Sequence, residues 1–86
     1  MTVLLHKTFK KNFEKLPFKV QEQFRERLRI FLNNKFEKTL NNHSVSKVFP
    51  DCRSINITGD YRAVFREDSE DMVRFMNIGT HSELYS

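Results

Sequence analysis

Two histidines, one tyrosine, one aspartate and one arginine are the residues of this chain best suited to chemistry. His81 and Tyr85 stand four residues apart in the tail Ile78-Gly79-Thr80-His81-Ser82-Glu83-Leu84-Tyr85-Ser86, and His43 lies in an Asn-rich stretch. An imidazole gives and takes protons near pH 7, which suits transfer to and from a phosphate ester. Asp60, in the turn Thr58-Gly59-Asp60, can act as a base or orient an imidazole. Arg62, Arg66, Arg53 and Arg74 are spread over period-two stretches, where guanidinium groups can clamp phosphate and stabilise transition-state charge. The one cysteine, Cys52, gives neither a disulfide nor a cysteine-rich metal site. His6, His43 and His81 show no ligand spacing, so neither metal nor cofactor is expected.

The elements that must position these residues follow from periodicity. Val3-Leu4-Leu5 marks a strand over residues 1–7, with Thr8 the expected cap of a first helix. Phe9, Phe13 and Leu16 share one helical face, and Pro17 ends that helix. Val20, Phe24, Leu28, Phe31 and Leu32 form the buried stripe of a second helix, which exits at Asn33-Asn34. Residues 41–44 read as a loop, and Lys47-Val48-Phe49 as a short strand or extended arm. Period-two alternation then gives a strand through Ile55 and Ile57 and another through Tyr61, Ala63 and Phe65. Glu67-Asp68-Ser69-Glu70-Asp71 turns the chain into a third, running from Met72 to Ile78, and the tail leaves as a short strand exit. The expected architecture is α+β: one domain over residues 1–86, ordered β-α-α-β-β-β, with a helical hairpin on one face of a small, mostly antiparallel sheet.

Charge narrows the partners. Of 86 residues, 15 are Lys or Arg and 11 Asp or Glu, a net +4. The first 66 residues carry 14 of those cations and 6 of the anions, so the basic field lies ahead of the acidic turn. Such a field points to an anionic partner: nucleic acid, an acidic protein or a membrane surface. Lys7, Lys10, Lys11, Lys47, Arg53, Arg66 and Arg74 are the expected RNA-backbone contacts. No apolar run approaches the ~20 residues that span a bilayer, so no membrane is expected and the cytoplasm is the default.

Two segments together resemble a known family. Arg53-Ser54-Ile55-Asn56-Ile57-Thr58-Gly59-Asp60-Tyr61-Arg62-Ala63-Val64-Phe65 and the tail Ile78-Gly79-Thr80-His81-Ser82-Glu83-Leu84-Tyr85 look like the RelE/ParE toxin superfamily, most of all its YafQ-like branch. The resemblance spans nearly the whole chain and implies a RelE-like fold. It also implies a bacterial type II toxin: a metal-independent, ribosome-dependent endoribonuclease that cuts mRNA in the decoding site. In that chemistry the 2′-OH attacks the adjacent phosphorus and leaves a cyclic phosphate. It further implies a toxin that is monomeric alone and forms a heteromeric complex with a cognate antitoxin. On the family pattern His81 is the tail proton carrier, His43 a second histidine, Asp60 the turn aspartate, Arg62 the phosphate-stabilising strand arginine and Tyr85 the terminal aromatic.

This chain departs from the pattern twice. His43-Ser44-Val45-Ser46-Lys47 lacks the proline and glycine of the family's H-P-L-x-G segment, and Asn56 stands where some relatives carry a further histidine. Two rival expectations are a ParE-like gyrase inhibitor that cuts nothing and a catalytically weak relic kept for antitoxin binding.

Overall fold

The computed structural model describes residues 1–85; Ser86, the last residue of the tail discussed above, lies outside them. The chain runs β1 (Thr2–Leu5), α1 (Lys7–Glu14), α2 (Phe18–Asn33), a 3₁₀ turn (Lys38–Leu40), β2 (His43–Ser44), β3 (Cys52–Asn56), β4 (Tyr61–Ser69), β5 (Met72–Thr80) and α3 (His81–Tyr85). The strands form one sheet in the order β1-β5-β4-β3-β2. β1 runs parallel to β5 and every other pairing is antiparallel. The expected α+β sheet with its helical hairpin is present, with β2 added at one edge and α3 at the end.

The hairpin face holds the main core. Phe9 of α1, Val20, Phe24 and Phe31 of α2, and Ile55, Ala63, Phe65, Val73, Phe75 and Ile78 of the sheet are all buried there. Phe75 is its centre. Its ring lies 5.8 Å from Phe9, 5.4 Å from Phe24, 5.7 Å from Phe31 and 5.6 Å from Phe65. Phe31 and Leu32 are adjacent, so they point about 100° apart on a helix. Phe31 takes the core position, and Leu32 is left 48% exposed against the expectation.

The cap of α1 also differs from expectation. β1 ends at Leu5, and the extended His6 (ψ 151°) accepts the Thr8 N–H on its Nδ1 at 3.1 Å. The chain leaves the strand two residues early, which makes His6 the cap instead of Thr8.

The mixed pattern of β5 has a specific cause. Val64 pairs with Asn77 but Phe65 pairs with Phe75, so Met76 is the extra residue of a β-bulge. The bulge lets Val73, Phe75 and Ile78 all face the helices despite their irregular spacing, while Met76 packs on the opposite face.

On the opposite face the sequence leads one to expect arginines available to clamp phosphate. That face carries a second, smaller core of Cys52, Val64 and Leu84, with Val45, Phe49, Met76 and Tyr85 around it. α3 supplies Leu84 and Tyr85, so the tail is a helix folded back over the sheet instead of a strand exit. Thr80 and Glu83 explain it. Glu83 N–H donates to Thr80 Oγ1 at 3.1 Å, and Thr80 N–H donates to a Glu83 carboxylate oxygen at 2.8 Å. This is the reciprocal capping box that Thr-x-x-Glu encodes. Lys47-Val48-Phe49 is not a strand either. It belongs to a tight loop joining β2 to β3, closed by Val48 and Phe49 N–H groups on the Val45 carbonyl and by Asp51 at φ 62°.

Candidate functional site

α3 lifts two of the expected residues into one group. His81 and Tyr85 are four apart on the helix, and their rings lie 4.7 Å apart at 51°. His81 is exposed, while Tyr85 is half-buried and meets Phe49 edge-on at 5.9 Å. Beside Tyr85 opens a cleft of about 310 Å³ lined by Ser44, Val45, Ser46, Lys47 and Val48. The site therefore has an accessible imidazole, a phenol and, in Lys47, a cation, with serine hydroxyls along its wall. The sequence reading did not single out Ser44, Ser46 or Phe49; the capping box at Thr80 and Glu83 was the signal that would have folded the tail toward them.

His43 sits on β2. It pairs across the strands with Ser54, which pairs in turn with Val64, so all three share the α3 face of the sheet. Its Nδ1 lies 2.7 Å from the Asn41 carbonyl. A carbonyl only accepts, so Nδ1 carries the proton and the neutral ring keeps its lone pair on Nε2. Among the described residues the two imidazoles are not bonded to each other: His81 pairs with Tyr85 and His43 with Asn41.

Asp60 is brought to His81 by its backbone: the His81 N–H donates to the Asp60 carbonyl at 3.1 Å. Arg62 folds over its own turn. Its Nη1 donates to the carbonyls of Thr58, Gly59 and Tyr61 at 3.1, 3.2 and 3.1 Å. It shares the α3 face with its cross-strand partner Asn56, whose Oδ1 is buried with no hydrogen-bond partner among the described residues. Arg66 and Arg74 pair with each other across β4 and β5 and share Asp68, at 2.7 and 3.0 Å. The two guanidinium groups hold the Asp68 carboxyl below its ordinary range, Arg66 contributing most. The Asp51 carboxylate adds a weaker attraction to Arg66. Arg53 points the other way: its partner Phe65 lies in the hairpin core, and its guanidinium binds Asn42. Lys7, Lys10 and Lys11 are exposed on α1, away from the cleft at Tyr85.

Cys52 is buried on the α3 face, and burial raises its thiol pKa, so it stays protonated and unreactive near neutral pH. Among the described residues no three His, Cys, Asp or Glu side chains converge as a metal ion would require, and no helix is long and apolar enough to cross a membrane.

The cap of α3 titrates. The Thr80 backbone N–H, then its hydroxyl, lower the Glu83 pKa. A depressed carboxylate adds stability above its unfolded pKa and loses it as pH falls through the folded value. The docking of α3 should therefore be constant at neutral pH and weaken below the ordinary glutamate value of 4.5. Amide resonances of Leu84 and Tyr85 followed through an acid titration check this. Glu83→Gln keeps the acceptor oxygen and should remove the acid step at α3; an unchanged acid step in that variant would assign the titration to another group.

The sequence matches the family described as ParE toxin of type II toxin-antitoxin system, parDE, over residues 3–85. The chain belongs to this family, within the RelE/ParE superfamily of toxins. Solved structures agree on the fold. YafQ from E. coli strain BL21(DE3) superposes with a TM-score of 0.81 at 14% identity, covering 98% of this chain and 97% of that one. A YoeB/ParE toxin from Agrobacterium tumefaciens gives 0.77 at 15% identity over 94% and 99% of the two chains. The RelB-RelE antitoxin-toxin complex from Methanococcus jannaschii gives 0.73 at 18% identity, with 95% and 94% covered. No curated protein matches the sequence.

Proposed function

We propose that this toxin is a metal-independent endoribonuclease acting on mRNA in the decoding site of the bacterial ribosome, and that a cognate antitoxin neutralises it in the cytoplasm. The observation that carries the reading is the tilted His81–Tyr85 ring pair, 4.7 Å between centroids, beside the cleft lined by Lys47, Ser44 and Ser46. It sets a titratable group and an aromatic surface together, where a nucleotide can be stacked and its phosphate reached. The solved YafQ and RelE relatives are described in complexes with antitoxins, DinJ and RelB.

The chemistry divides as follows. A base removes the proton from the ribose 2′-OH, whose oxygen attacks the neighbouring phosphorus. The bond to the 5′-oxygen breaks, an acid protonates that oxygen, and a 2′,3′-cyclic phosphate remains. His43, with Nε2 unprotonated, suits the base; His81, exposed and in ring contact with Tyr85, suits the acid. Lys47 and the Arg62, Arg66 and Arg74 side of the sheet stabilise the charge on phosphorus. Asp60 contributes by holding the first residue of α3 through its carbonyl. Lys7, Lys10, Lys11 and Lys47 add salt-dependent affinity for the RNA backbone.

A second reading is favoured by the family match itself, which is to ParE: an inhibitor of DNA gyrase that cuts nothing. Induction in a bacterial host with pulse-labelling of protein and DNA separates the two. The ribonuclease reading predicts immediate arrest of protein synthesis while DNA synthesis continues. Arrested DNA synthesis with a damage response, undiminished in His81→Ala, would establish the gyrase reading.

A further inference from the structure

The corner that carries His43 is held from outside its own strand. Arg53 donates from Nε to Asn42 Oδ1 at 2.7 Å and from Nη2 to the Asn42 carbonyl at 3.3 Å. Asn42 Nδ2 in turn donates to the Lys35 carbonyl at 2.9 Å. Three atoms of Asn42 are thus bound, and the residue ties β3 to the chain that follows α2. The guanidinium also lies over the Phe36 ring at 5.6 Å, which fixes the plane of its fork.

Asn41, one residue earlier, is left-handed, with φ 47° and ψ 50°. Asparagine tolerates that region better than most residues, but surroundings must hold it there. The 3₁₀ turn supplies one hold, since the Asn41 N–H donates to the Lys38 carbonyl at 3.2 Å. The Arg53–Asn42 clamp supplies the other, from the opposite side of the peptide. Between them, the Asn41 carbonyl is turned onto His43 Nδ1 at 2.7 Å.

We propose that Arg53 is a positioning residue for His43: by pinning Asn42 it keeps the Asn41 carbonyl on Nδ1 and so fixes the imidazole in the tautomer whose Nε2 is free to take a proton. Arg53 reaches the site from behind, since its strand partners Ser44 and Phe65 place it on the hairpin face. Its Nε and Nη2 are spent on Asn42, where a phosphate clamp would need them free. The use of His43 as a base rests on the ribonuclease reading; the control of its tautomer does not. A lysine is a compact ammonium with three rotatable donors and lacks the rigid planar fork that holds both Asn42 oxygens at once.

Long-range ¹H–¹⁵N spectra of the isolated chain, at a pH where the imidazole is neutral, read the tautomer directly. The wild type should show His43 protonated at Nδ1. Arg53→Ala and Asn42→Ala should each move it toward Nε2–H and leave the His81 signals in place, with an amide spectrum that still reports a folded sheet. Arg53→Lys should fall between. A wild-type His43 protonated at Nε2 would overturn the proposal, and so would a tautomer unchanged in either folded variant. Should neither variant fold, the wild-type spectrum decides. Cleavage kinetics separate the proposal from the reading it builds on. Positioning predicts a fall in kcat with KM unchanged for Arg53→Ala, whereas a phosphate contact predicts a raised KM and would sink it. A tautomer that depends on Arg53 in a chain that cuts no RNA would leave the clamp standing and remove the ribonuclease reading.

Discussion

Phe75→Ala is expected to lower the melting temperature by at least about 12 °C and to leave much of the chain unfolded at 37 °C. Phe75 is fully buried and touches four other phenylalanine rings from α1, α2 and β4. Truncating such a side chain costs roughly 3–5 kcal/mol through lost transfer energy and the cavity left behind. At about 0.05–0.15 kcal/mol per residue, a chain of 86 residues holds only about 4–13 kcal/mol in all. The loss is therefore a large share of the total, and a domain this size loses about 4–8 °C per kcal/mol. Phe18→Ala is the matched control: its ring is 67% exposed, and the change should stay within about 0.5 kcal/mol. Thermal or urea unfolding of the two variants beside wild type checks the pair. Equal stability would mean that the five-ring cluster is not what joins the hairpin to the sheet.

The contrast between these two phenylalanines also shows how far the sequence could be read. Periodicity placed the helical hairpin and the three main strands because each sets a regular apolar face into the hairpin core; the second core on the other face of the sheet was not read. It could not choose between Phe31 and Leu32, since both fit the stripe and only packing against Phe65 and Phe75 decides. β5 looked irregular because a bulge at Met76 shifts its phase, and a bulge has no residue signature as clear as a glycine turn. β2 is two residues long and is made by its partner strand, with no pattern of its own. The terminal helix was legible and was missed. Thr80 and Glu83 spell a capping box, but five residues at a chain end carry too short an apolar period to show a helix.

The site was legible as a set of residue types and not as an arrangement. His81 and Tyr85 do meet, because i and i+4 share a helical face. His43 reaches the same side of the sheet through a strand pairing with no sequence signal. The arginines were read as one clamp because they alternate along strands. The structure divides them: Arg53 on the hairpin side bound to Asn42, Arg62 over its own turn, and Arg66 with Arg74 on Asp68. Alternation gives the face a residue occupies; only the tertiary fold gives the partner that occupies its donors.

His81→Ala should lower cleavage by about 10²–10⁴-fold, the range that one general acid supplies. The imidazole is exposed, and among the described residues its ring contact is with Tyr85, so its removal should change the melting temperature little. That separates it from Phe75→Ala, which should lose activity only in proportion to the folded fraction. His81→Gln keeps polarity and size and restores no proton carrier, so it should be as inactive as alanine. The measurement that bears most directly on the account is end-mapping of mRNA on programmed ribosomes with wild type and His81→Ala at equal folded concentration. The account predicts 2′,3′-cyclic phosphate ends with wild type and a loss of at least about 10²-fold in the variant. Equal cutting by both proteins, or none by either, would contradict it.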